Sequence, residues 1–520
     1  MDSGKINDRF RLHTEGPLDT GGKGSVRFTY RPGEVLKEGS RLWFLLDIRQ
    51  GAGVPQCEDP VGPNFVSVSS EKGADVVCAC YDARTLELYP QIPEFLHVCE
   101  MTLSRGMAKD DRLTISLGHG EAGWAFPRHP MKVYHFWLLE GGVRTFSPTG
   151  YRTYRSFEPP LDASPRAEVL SVCLEIRGEY PGLSAENTRP TPGILWGDLH
   201  GMAFNQRPLD DFYMYAREVA RFDFAAAMLF SYNICVGDVW GEVKRTARRF
   251  THPGAFVAVA GVEFGTPPDS SHRNAHFFYP DGAPPIFFED RPPAHEPRLT
   301  RRFSPDTVFC RDLAHFYDIV GQHRGMVSGH FHTLRYEREI LAEIWQKQSG
   351  SATEETRIFG LLNDGLRAGI VSGSDTHDSM PGNPAPEPHC PQPAGFMAVL
   401  ADRATPDAIY EAILQRRVYG TTGGRIALGF EAAGQPMGSV LPGAAPRRFQ
   451  VRAEGSAPLA KVELIHRGKV VDGADPSGFS WEGSLNGPVH PGSGADWHLV
   501  RVTQKDGHRA WSSPIWFEFD

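Results

Sequence analysis

The chain has 520 residues, of which 40% are hydrophobic and 22% are charged, a balance that is typical of a folded globular protein and excludes a disordered one. This length exceeds what a single hydrophobic core sustains, so several domains are expected. A net charge of −9 argues against nucleic acid or an anionic membrane as a partner, because both need clustered positive charge. The sequence contains no long apolar run and no signal-peptide pattern at its start, so we expect a cytoplasmic protein.

The first region, residues 1–190, shows the alternation of β-strands. Val26, Phe28 and Tyr30 alternate with polar residues, and a similar pattern runs through RLWFLLDIRQ at 41–50. Turn clusters such as GAGVPQ separate these runs. The pattern predicts an N-terminal β-sandwich domain.

Eight cysteines are scattered along the chain, and none forms a C-x-x-C pair. This spacing argues against a zinc site built from sulfur ligands. Cys78 and Cys80 are expected on one face of a strand, because side chains alternate along a strand. We therefore interpret the cysteines as reduced structural residues.

The middle region, residues 191–425, alternates short apolar runs with helical periods. The strand candidates are ILWGDLH, FAAAMLF, FVAVAGVEF, GMVSGHF, GIVSGSD and FMAVLAD, and the helix candidates are PLDDFYMYAREVARF, RDLAHFYDIV and TPDAIYEAILQRR. In the last of these, Thr405 is a predicted N-cap and Pro406 the first helical residue. Strands that alternate with helices predict βαβ units and a parallel sheet or barrel.

The last region, residues 426–520, returns to alternating strand patterns after the glycine-rich stretch YGTTGGR. Asp506 and Gly507 predict a hairpin turn between two of these strands. We assign a small C-terminal β domain here.

Four of the predicted middle strands end in side chains that can bind a metal ion. In an α/β barrel these carboxyl ends face the active site, so the side chains are expected to meet there. Imidazoles and carboxylates without thiolates suit Mn, Fe or Zn. The residues are Asp198 and His200, Glu263, His330 and His332, and Asp375, His377 and Asp378.

The stretch SHRNAHFFY follows Glu263 closely. His272, Arg273 and Asn274 can face the same site, where Arg273 is suited to bind an anionic group through two hydrogen bonds. The alternative is a polar turn that leads into a strand.

WGDLH, the GVE at 261–263, the HRN at 272–274 and GSDTH at 373–377 together resemble the polymerase-and-histidinol-phosphatase (PHP) superfamily. The stretches GFMAVLADRATPDAIYEAILQRRVYGTTGGRIAL and AWSSPIW resemble a branch of unknown function related to carbaryl-hydrolase-like metallohydrolases. The resemblance implies an α/β fold, a distorted (βα)7 barrel between the two β domains, with up to three Mn, Fe or Zn ions. It implies as metal ligands His200, Glu263, His330, Asp375 and His377.

The chain departs from the family pattern at several ligand positions. Met202 stands where the first motif has its second histidine, and the Thr-Asp-His triplet falls on Met228, Leu229 and Phe230. A further expected histidine is absent near residues 348–349. A thioether binds hard ions poorly, so the departures imply about one divalent ion, with Met202 and Leu229 lining the substrate site.

The leading hypothesis is a metal-dependent hydrolase of a small organic amide, ester or carbamate. Metal-activated water attacks while His377 or His272 moves the proton, Asp375 belongs to both the catalytic and the metal-binding set, and Arg273, Asn274 and Met202 contact the substrate. One alternative is a mononuclear-metal lyase, isomerase or oxygen-using enzyme on the same fold. Another is a catalytically inactive scaffold. The oligomeric state does not follow from the sequence.

Overall fold

The chain folds into two compact units, one formed by Met1–Pro181 with Phe204–Asp211 and the other by Gly182–Ala203 with Phe212–Asp520. The structure is a computed structural model. It describes residues 9–14, 18–47, 52–82, 96–127, 131–140, 169–177, 191–203, 209–235, 238–266, 271–288, 304–329, 338–347, 352–377, 379–384, 392–490 and 496–519.

The described part of the first unit consists of strands. Strands β1, β4, β9 and β6 form one antiparallel sheet in that order, β2, β12, β11, β5, β8 and β7 form a second sheet, and β10 pairs with β3. Their bounds are β1 (Phe10–Thr14), β2 (Leu18–Asp19), β3 (Lys23–Gly24), β4 (Val26–Tyr30), β5 (Arg41–Asp47), β6 (Val66–Ser70), β7 (Val76–Asp82), β8 (Leu96–Leu103), β9 (Leu113–Leu117), β10 (Trp124–Ala125), β11 (Met131–Glu140) and β12 (Val169–Arg177).

The two large sheets of this unit pack face to face over one apolar core. Phe28 of the first sheet contacts Phe44 and Phe136 of the second, with ring centroids 5.0 and 4.7 Å apart. Val26, Phe28 and Tyr30 are all buried, as their alternation predicts. The arrangement is the β-sandwich that the sequence pattern indicates.

The second unit begins with eleven described strands. Each of the six apolar runs predicted as a middle strand forms one of them. Their bounds are β13 (Ile194–Met202), β14 (Phe224–Phe230), β15 (Val257–Thr266), β16 (Ser271–Phe277), β17 (Ile286–Phe288), β18 (Val308–Cys310), β19 (Gly325–Gly329), β20 (Leu341–Trp345), β21 (Gly369–Ser372), β22 (Phe396–Leu400) and β23 (Val418–Thr421).

Helices in the described residues are short. Thr405 caps the last of them by accepting a hydrogen bond from the N–H of Ala408, as predicted, and Asp312 caps an earlier one in the same way. None of the described helices is both long and apolar enough to cross a membrane. The helices are α1 (Leu209–Met214), α2 (Ser231–Ile234), α3 (Val239–Phe250), α4 (Leu313–Gln322), α5 (Ala352–Asn363) and α6 (Pro406–Leu414), with a π-helical turn at Tyr215–Val219 and a 3-10 turn at Pro280–Gly282.

Strands of the second unit join in one large curled sheet with the order β21-β20-β19-β16-β15-β14-β13-β22-β23. The sheet continues from β23 into four C-terminal strands, in the order β32 (Arg509–Ser512), β31 (Asp496–Gln504), β28 (Leu459–His466) and β29 (Lys469–Ala474). The sheet curls until β21 lies against β23. A Cβ atom added to Gly420 of β23 would lie 2.6 Å from the carbonyl carbon of Val371 in β21, so the two backbones are in direct contact. The carboxyl ends of β13, β15 and β20 thereby come close together.

The predicted (βα)7 barrel is not shown by the part of the chain that the structure describes. Strands β13, β14 and β15 are parallel, as are β19, β20 and β21, but β16 runs antiparallel to both β15 and β19, and β22 runs antiparallel to β13. Only four residues separate β15 from β16, which is too few for the crossover helix that a parallel pair needs. The unit is therefore a mixed sheet, rich in strands and poor in helices.

The C-terminal strands continue the same sheet past residue 425. Strand β23 pairs with β32, and Asp506 and Gly507 lie in the turn between β31 and β32, as predicted. The domain boundaries at 190 and 425 stay predictions. The remaining strands are β24 (Ala427–Ala432), β25 (Gln435–Pro436), β26 (Val440–Pro442), β27 (Arg448–Glu454), β28 (Leu459–His466), β29 (Lys469–Ala474), β30 (Ser480–Asn486), β31 (Asp496–Gln504), β32 (Arg509–Ser512) and β33 (Ile515–Glu518).

Candidate metal centre

The loop 373–377, which carries the GSDTH motif, is fastened to the end of β13 by Asp198. The Asp198 carboxylate accepts hydrogen bonds from the backbone N–H groups of His200 (2.9 Å) and Ser374 (3.2 Å), and the Ser374 hydroxyl donates to its other oxygen. Burial raises the pKa of Asp198 to about 6, although these hydrogen bonds counteract the rise. Asp198 therefore acts as an anchor between the two motifs.

Backbone hydrogen bonds continue this attachment beyond Asp198. The N–H of Asp375 donates to the carbonyl of His200 at 2.6 Å, and the N–H of Met202 donates to the carbonyl of Thr376 at 3.1 Å. Asp375 has a φ of 49°, in the left-handed region that few residues other than glycine, asparagine and aspartate adopt. The two bonds hold the Asp375 side chain beside His200.

His200 is buried between two carboxylates. Its Nδ1 lies 2.9 Å from Glu343 Oε1 in β20, and its Nε2 lies 3.4 Å from Asp375 Oδ1. Gly373 makes room for this contact, since a Cβ there would stand 2.4 Å from Glu343 Oε1 and 2.4 Å from the Cβ of His200. A carboxylate at Nδ1 fixes the ring and directs Nε2 toward the site, which is the usual arrangement of a metal-binding histidine.

Glu263 and His272 form the other half of the candidate site. Glu263 in β15 is buried and lies opposite Asn274 of β16 in the ladder, so these side chains share a face with His272, two residues along. Glu263 Oε1 lies 2.5 Å from Nδ1 of His272, whose side chain is 47% exposed. His272 is therefore the part of this pair that solvent reaches.

Arg273 is not brought together with these residues. Strand alternation turns it to the opposite face of β16, where its Nε donates to Glu339 Oε1 at 2.9 Å and Tyr317 donates to the same carboxylate. The pair is buried. This position does not suit the predicted contact with a substrate, and Arg273 instead balances the charge of Glu339.

The remaining predicted residues differ in their exposure to solvent. His377 is one-third exposed, and its Nδ1 lies 2.9 Å from the carbonyl oxygen of Asp375 and 4.0 Å from its Oδ1. Met202 is fully buried. His330, together with His332 and Asp378, lies outside the described residues.

The carboxylates control the charge of the neighbouring histidines. Burial alone would lower the pKa of His200, but Glu343 and Asp375, helped by Glu263, outweigh it and raise the pKa to about 10. The hydrogen bond that His272 donates to the Glu263 carboxylate raises the pKa of His272. Glu263 thus acts on both histidines, which shows that the two halves lie within electrostatic range of each other.

The donor set fits a single divalent cation. Three buried carboxylates, those of Glu263, Glu343 and Asp375, face only two imidazoles, so negative charge is in excess. A divalent cation bound by Nε2 of His200 would replace the proton on that nitrogen and balance this charge. The buried Oδ1 of Asn274 also has no hydrogen-bond partner among the described residues. The ligands are not drawn tightly together, however, since the two donor triads within 4.8 Å that the described residues form lie elsewhere in the chain.

Sequence reasoning missed Glu343, Glu339 and His276. Glu343 lies in the middle of the strand LAEIW, where a carboxylate between apolar residues is a signal of a buried partner. His276 shares the face of His272 and Asn274, bonds Ser328 at 2.9 Å, and has a pKa lowered to about 3 by burial and by the nearby His200.

Comparisons with known proteins give relatives but no family assignment. No family model matches the chain. An uncharacterized protein of Chlamydia muridarum is 24% identical over 366 residues, which cover 64% of this chain and 59% of the relative. Uncharacterized proteins of Chlamydia pneumoniae and Chlamydia trachomatis are 23% identical over 370 residues and 30% identical over 186, covering 63% and 33% of this chain and 58% and 30% of the relatives. The chain therefore spans less than two thirds of the length of these relatives.

Among solved structures, the chain is similar to a two-domain protein from Bacteroides vulgatus that contains a predicted PHP-like metal-dependent phosphoesterase. The identity is 10%, the TM-score is 0.33, and the match covers 64% of this chain and 99% of the other.

Proposed function

We propose that this protein is a metal-dependent hydrolase that uses one divalent ion, Mn, Fe or Zn, held by His200, Glu263 and Asp375. The observation that carries the proposal is the position of His200, which Glu343 holds at Nδ1 while Nε2 faces Asp375 in a buried setting. Such an ion supplies an activated water and polarises a carbonyl or phosphoryl oxygen. His330 and His377 are further proposed ligands.

The residues around the ion divide the remaining work. His272 is half exposed and bonds the Glu263 carboxylate, which raises the pKa of the imidazole, so it is suited to donate a proton to a leaving group. His377, next to Asp375, is suited to accept the proton of the attacking water. Asn274 offers its side-chain carbonyl oxygen to the substrate from the same face as Glu263.

The apolar residues at former ligand positions support a weakly charged organic substrate, namely an amide, ester or carbamate. Met202 and Met228 are buried, and the sulfur of Met228 lies over Gly261, where a Cβ would stand 2.1 Å from it. Thioethers and methyl groups at these positions neither bind further hard ions nor neutralise a phosphate. We therefore expect hydrolysis of neutral esters or carbamates in preference to phosphate monoesters.

The test combines metal analysis with a substrate panel. The purified full-length chain is dialysed against Mn, Fe(II) or Zn, analysed for metal, and assayed with chromogenic esters, carbamates, amides and phosphate monoesters. His200→Ala and Asp375→Asn are compared with His252→Ala, which alters an exposed histidine elsewhere in the same unit. We expect metal-dependent hydrolysis in the wild type and in His252→Ala, and its loss in the other two variants.

Each other outcome identifies a competing function. A protein that binds no metal even after reconstitution contradicts the proposal and favours a non-catalytic scaffold. Redox-active iron with oxygen uptake favours an oxygen-using enzyme. A preference for phosphate monoesters contradicts the assigned substrate class while leaving the metal site in place.

A further inference from the structure

Four cysteines that are distant in sequence come together in the first unit. Cys57 Sγ lies 2.9 Å from Cys78 Sγ and 3.1 Å from Cys80 Sγ, and Cys80 Sγ lies 2.9 Å from Cys99 Sγ. The donor atoms of the first three are all within 4.8 Å of one another. All four are free cysteines, as the prediction of reduced residues requires, but they lie together in the fold although they are far apart in the sequence.

Three segments of the sandwich place these thiols. Cys78 and Cys80 alternate onto one face of β7, and the antiparallel register with β8 sets Cys99 directly opposite Cys80. Cys57 comes from the preceding loop. Cys99 is fully buried and the other three are half-buried against the core of the sandwich.

Gln56 holds the loop that delivers Cys57. It forms a bridge with Phe65, its side-chain oxygen accepts from the N–H groups of Glu58 and Asp59, and its side-chain nitrogen donates to the carbonyls of Asp59 and Pro63. Both polar atoms of its side-chain amide are therefore hydrogen-bonded. The loop has a defined path that positions the adjacent Cys57 over β7.

The distances between the sulfurs point to a shared ion. They exceed the roughly 2.05 Å of a disulfide bond, and all four residues are free cysteines. Thiolates at about 2.3 Å from a tetrahedral zinc ion stand roughly 3.8 Å apart, so the three close sulfur pairs separate by about 1 Å when they bind the ion. The sulfur of Cys99 contacts Cys80 but lies outside the triad within 4.8 Å, so it moves toward the other two thiols to complete the set. Cys57 contacts two of the other thiols at once, which a single disulfide cannot use.

The donor atoms of the other close triad, His466, Asp496 and His498, already have partners within the protein. There the Asp496 carboxylate already bonds the Arg447 guanidinium at 2.6 Å and His466 at 2.9 Å, while His498 bonds the carbonyl of Pro488. A protein cation balances that carboxylate. The cysteine cluster contains only sulfur donors, the set that selects zinc.

We propose that Cys57, Cys78, Cys80 and Cys99 bind one zinc ion. Four thiolates complete the tetrahedron and leave no position for water, so this site is structural. It ties the loop at residues 52–64 to β7, the edge strand of its sheet. The inference is independent of the proposed hydrolase site, which uses no cysteine.

The test measures zinc content and thiolate coordination in the full-length chain purified under reducing conditions. Wild type, Cys57→Ser and Cys80→Ser are compared with Cys235→Ser, which alters a buried free cysteine outside the cluster. His200→Ala is added as a background in which the hydrolase ion is removed. In the His200→Ala background we expect one zinc per chain to remain, both alone and combined with Cys235→Ser, and to be lost when either cluster substitution is added.

Cobalt substitution keeps the proposal testable when a cluster variant fails to fold. Wild-type protein loaded with Co²⁺ is expected to show sulfur-to-metal charge-transfer bands in the near ultraviolet, which imidazole and carboxylate ligands do not produce. Absence of these bands, or Cys57–Cys78 and Cys80–Cys99 disulfides in peptide mapping of freshly purified protein, overturns the proposal.

Discussion

At the scale of single residues, Glu343 is predicted to determine the metal affinity of the proposed hydrolase site. Glu343→Gln keeps the shape of the side chain but removes the charge that holds Nδ1 of His200. Because loss of such a partner weakens metal binding by about 10–100-fold, the dissociation constant for Mn or Zn should rise by that factor. Calorimetric titration of the metal-free chain measures it.

Glu339→Gln is the matched control for this substitution. Glu339 is also buried, but it bonds Arg273 on the other face of β16. Leaving that guanidinium without its carboxylate should lower the free energy of unfolding by about 3–5 kcal/mol, with metal affinity unchanged. Equal metal affinities for the two variants would refute the role assigned to Glu343.

A second residue-scale prediction concerns the acid sensitivity that His498 causes. Burial, together with the neighbouring His466, lowers the pKa of His498 to about 3, against about 6.5 in the unfolded chain. Two further charged residues face His498: Asp496 raises its pKa and Arg447 lowers it. The folded state therefore binds fewer protons below pH 6.5, so stability is complete above that pH and falls as the pH drops, by up to about 1.4 kcal/mol per unit.

Urea unfolding of wild type and His498→Gln between pH 7 and pH 5 checks this prediction. Glutamine does not titrate, and it retains an N–H donor for the carbonyl of Pro488. The variant should lose less stability than the wild type over this range. Parallel losses in the two proteins would show that His498 does not contribute.

The sequence predicts which residues are candidates for the site better than it predicts their contact partners. His200 lies two residues before the end of β13 and Asp375 lies just after β21, close to where the local pattern puts them, whereas β15 continues to Thr266 beyond Glu263. Glu343 contacts His200 across 143 positions of sequence, and Arg273 contacts Glu339 across 66. Such pairings depend on which strands become neighbours, and no local pattern encodes that.

At the scale of secondary structure elements, the contact between β21 and β23 depends on Gly420. A Cβ at this position would stand 2.6 Å from the carbonyl carbon of Val371 and 2.8 Å from the nitrogen of Ser372, both backbone atoms that cannot rotate away. Gly420→Ala should therefore lower the free energy of unfolding by about 1–3 kcal/mol. Chemical denaturation of the variant measures this change.

Gly360→Ala is the control for the same chemical change. Gly360 is exposed in α5 and a Cβ there meets no atom within 4 Å. Alanine is the better helix former, so this variant should gain about 0.5–1 kcal/mol. Stability changes of the same sign in both variants would contradict the close approach of β21 and β23.

Elements with a strong local sequence signal could be predicted, but the relative orientation of the strands in the sheet could not. The apolar runs form strands, Thr405 caps α6 and Asp506-Gly507 forms a hairpin turn, because each depends on a few adjacent residues. Strand β16 carries polar residues on a buried face, and for this reason its sequence also allowed the interpretation of a polar turn. Its antiparallel pairing with β15 and β19 is what replaces the expected parallel barrel.

At the scale of the whole molecule, the two proposed metal sites lie in different units of the chain. The first unit is a β-sandwich whose cysteine cluster we assign to a zinc ion, and the second unit carries the histidine and carboxylate residues of the proposed hydrolase. The length of the chain predicted more than one core. The sequence did not predict the cysteine cluster, because its four residues come from three segments that only the sandwich brings together. Loss of the zinc should destabilise the first unit and leave metal binding in the second intact.

The central claim is that His200, Glu263 and Asp375 share a divalent ion. Anomalous scattering from crystals of the manganese-loaded chain, recorded above and below the manganese edge, tests it most directly. The account predicts an anomalous peak within bonding distance of His200 Nε2 and the carboxylates of Glu263 and Asp375, with Glu343 still bonded to Nδ1. A fully loaded crystal without a peak beside His200 would contradict it.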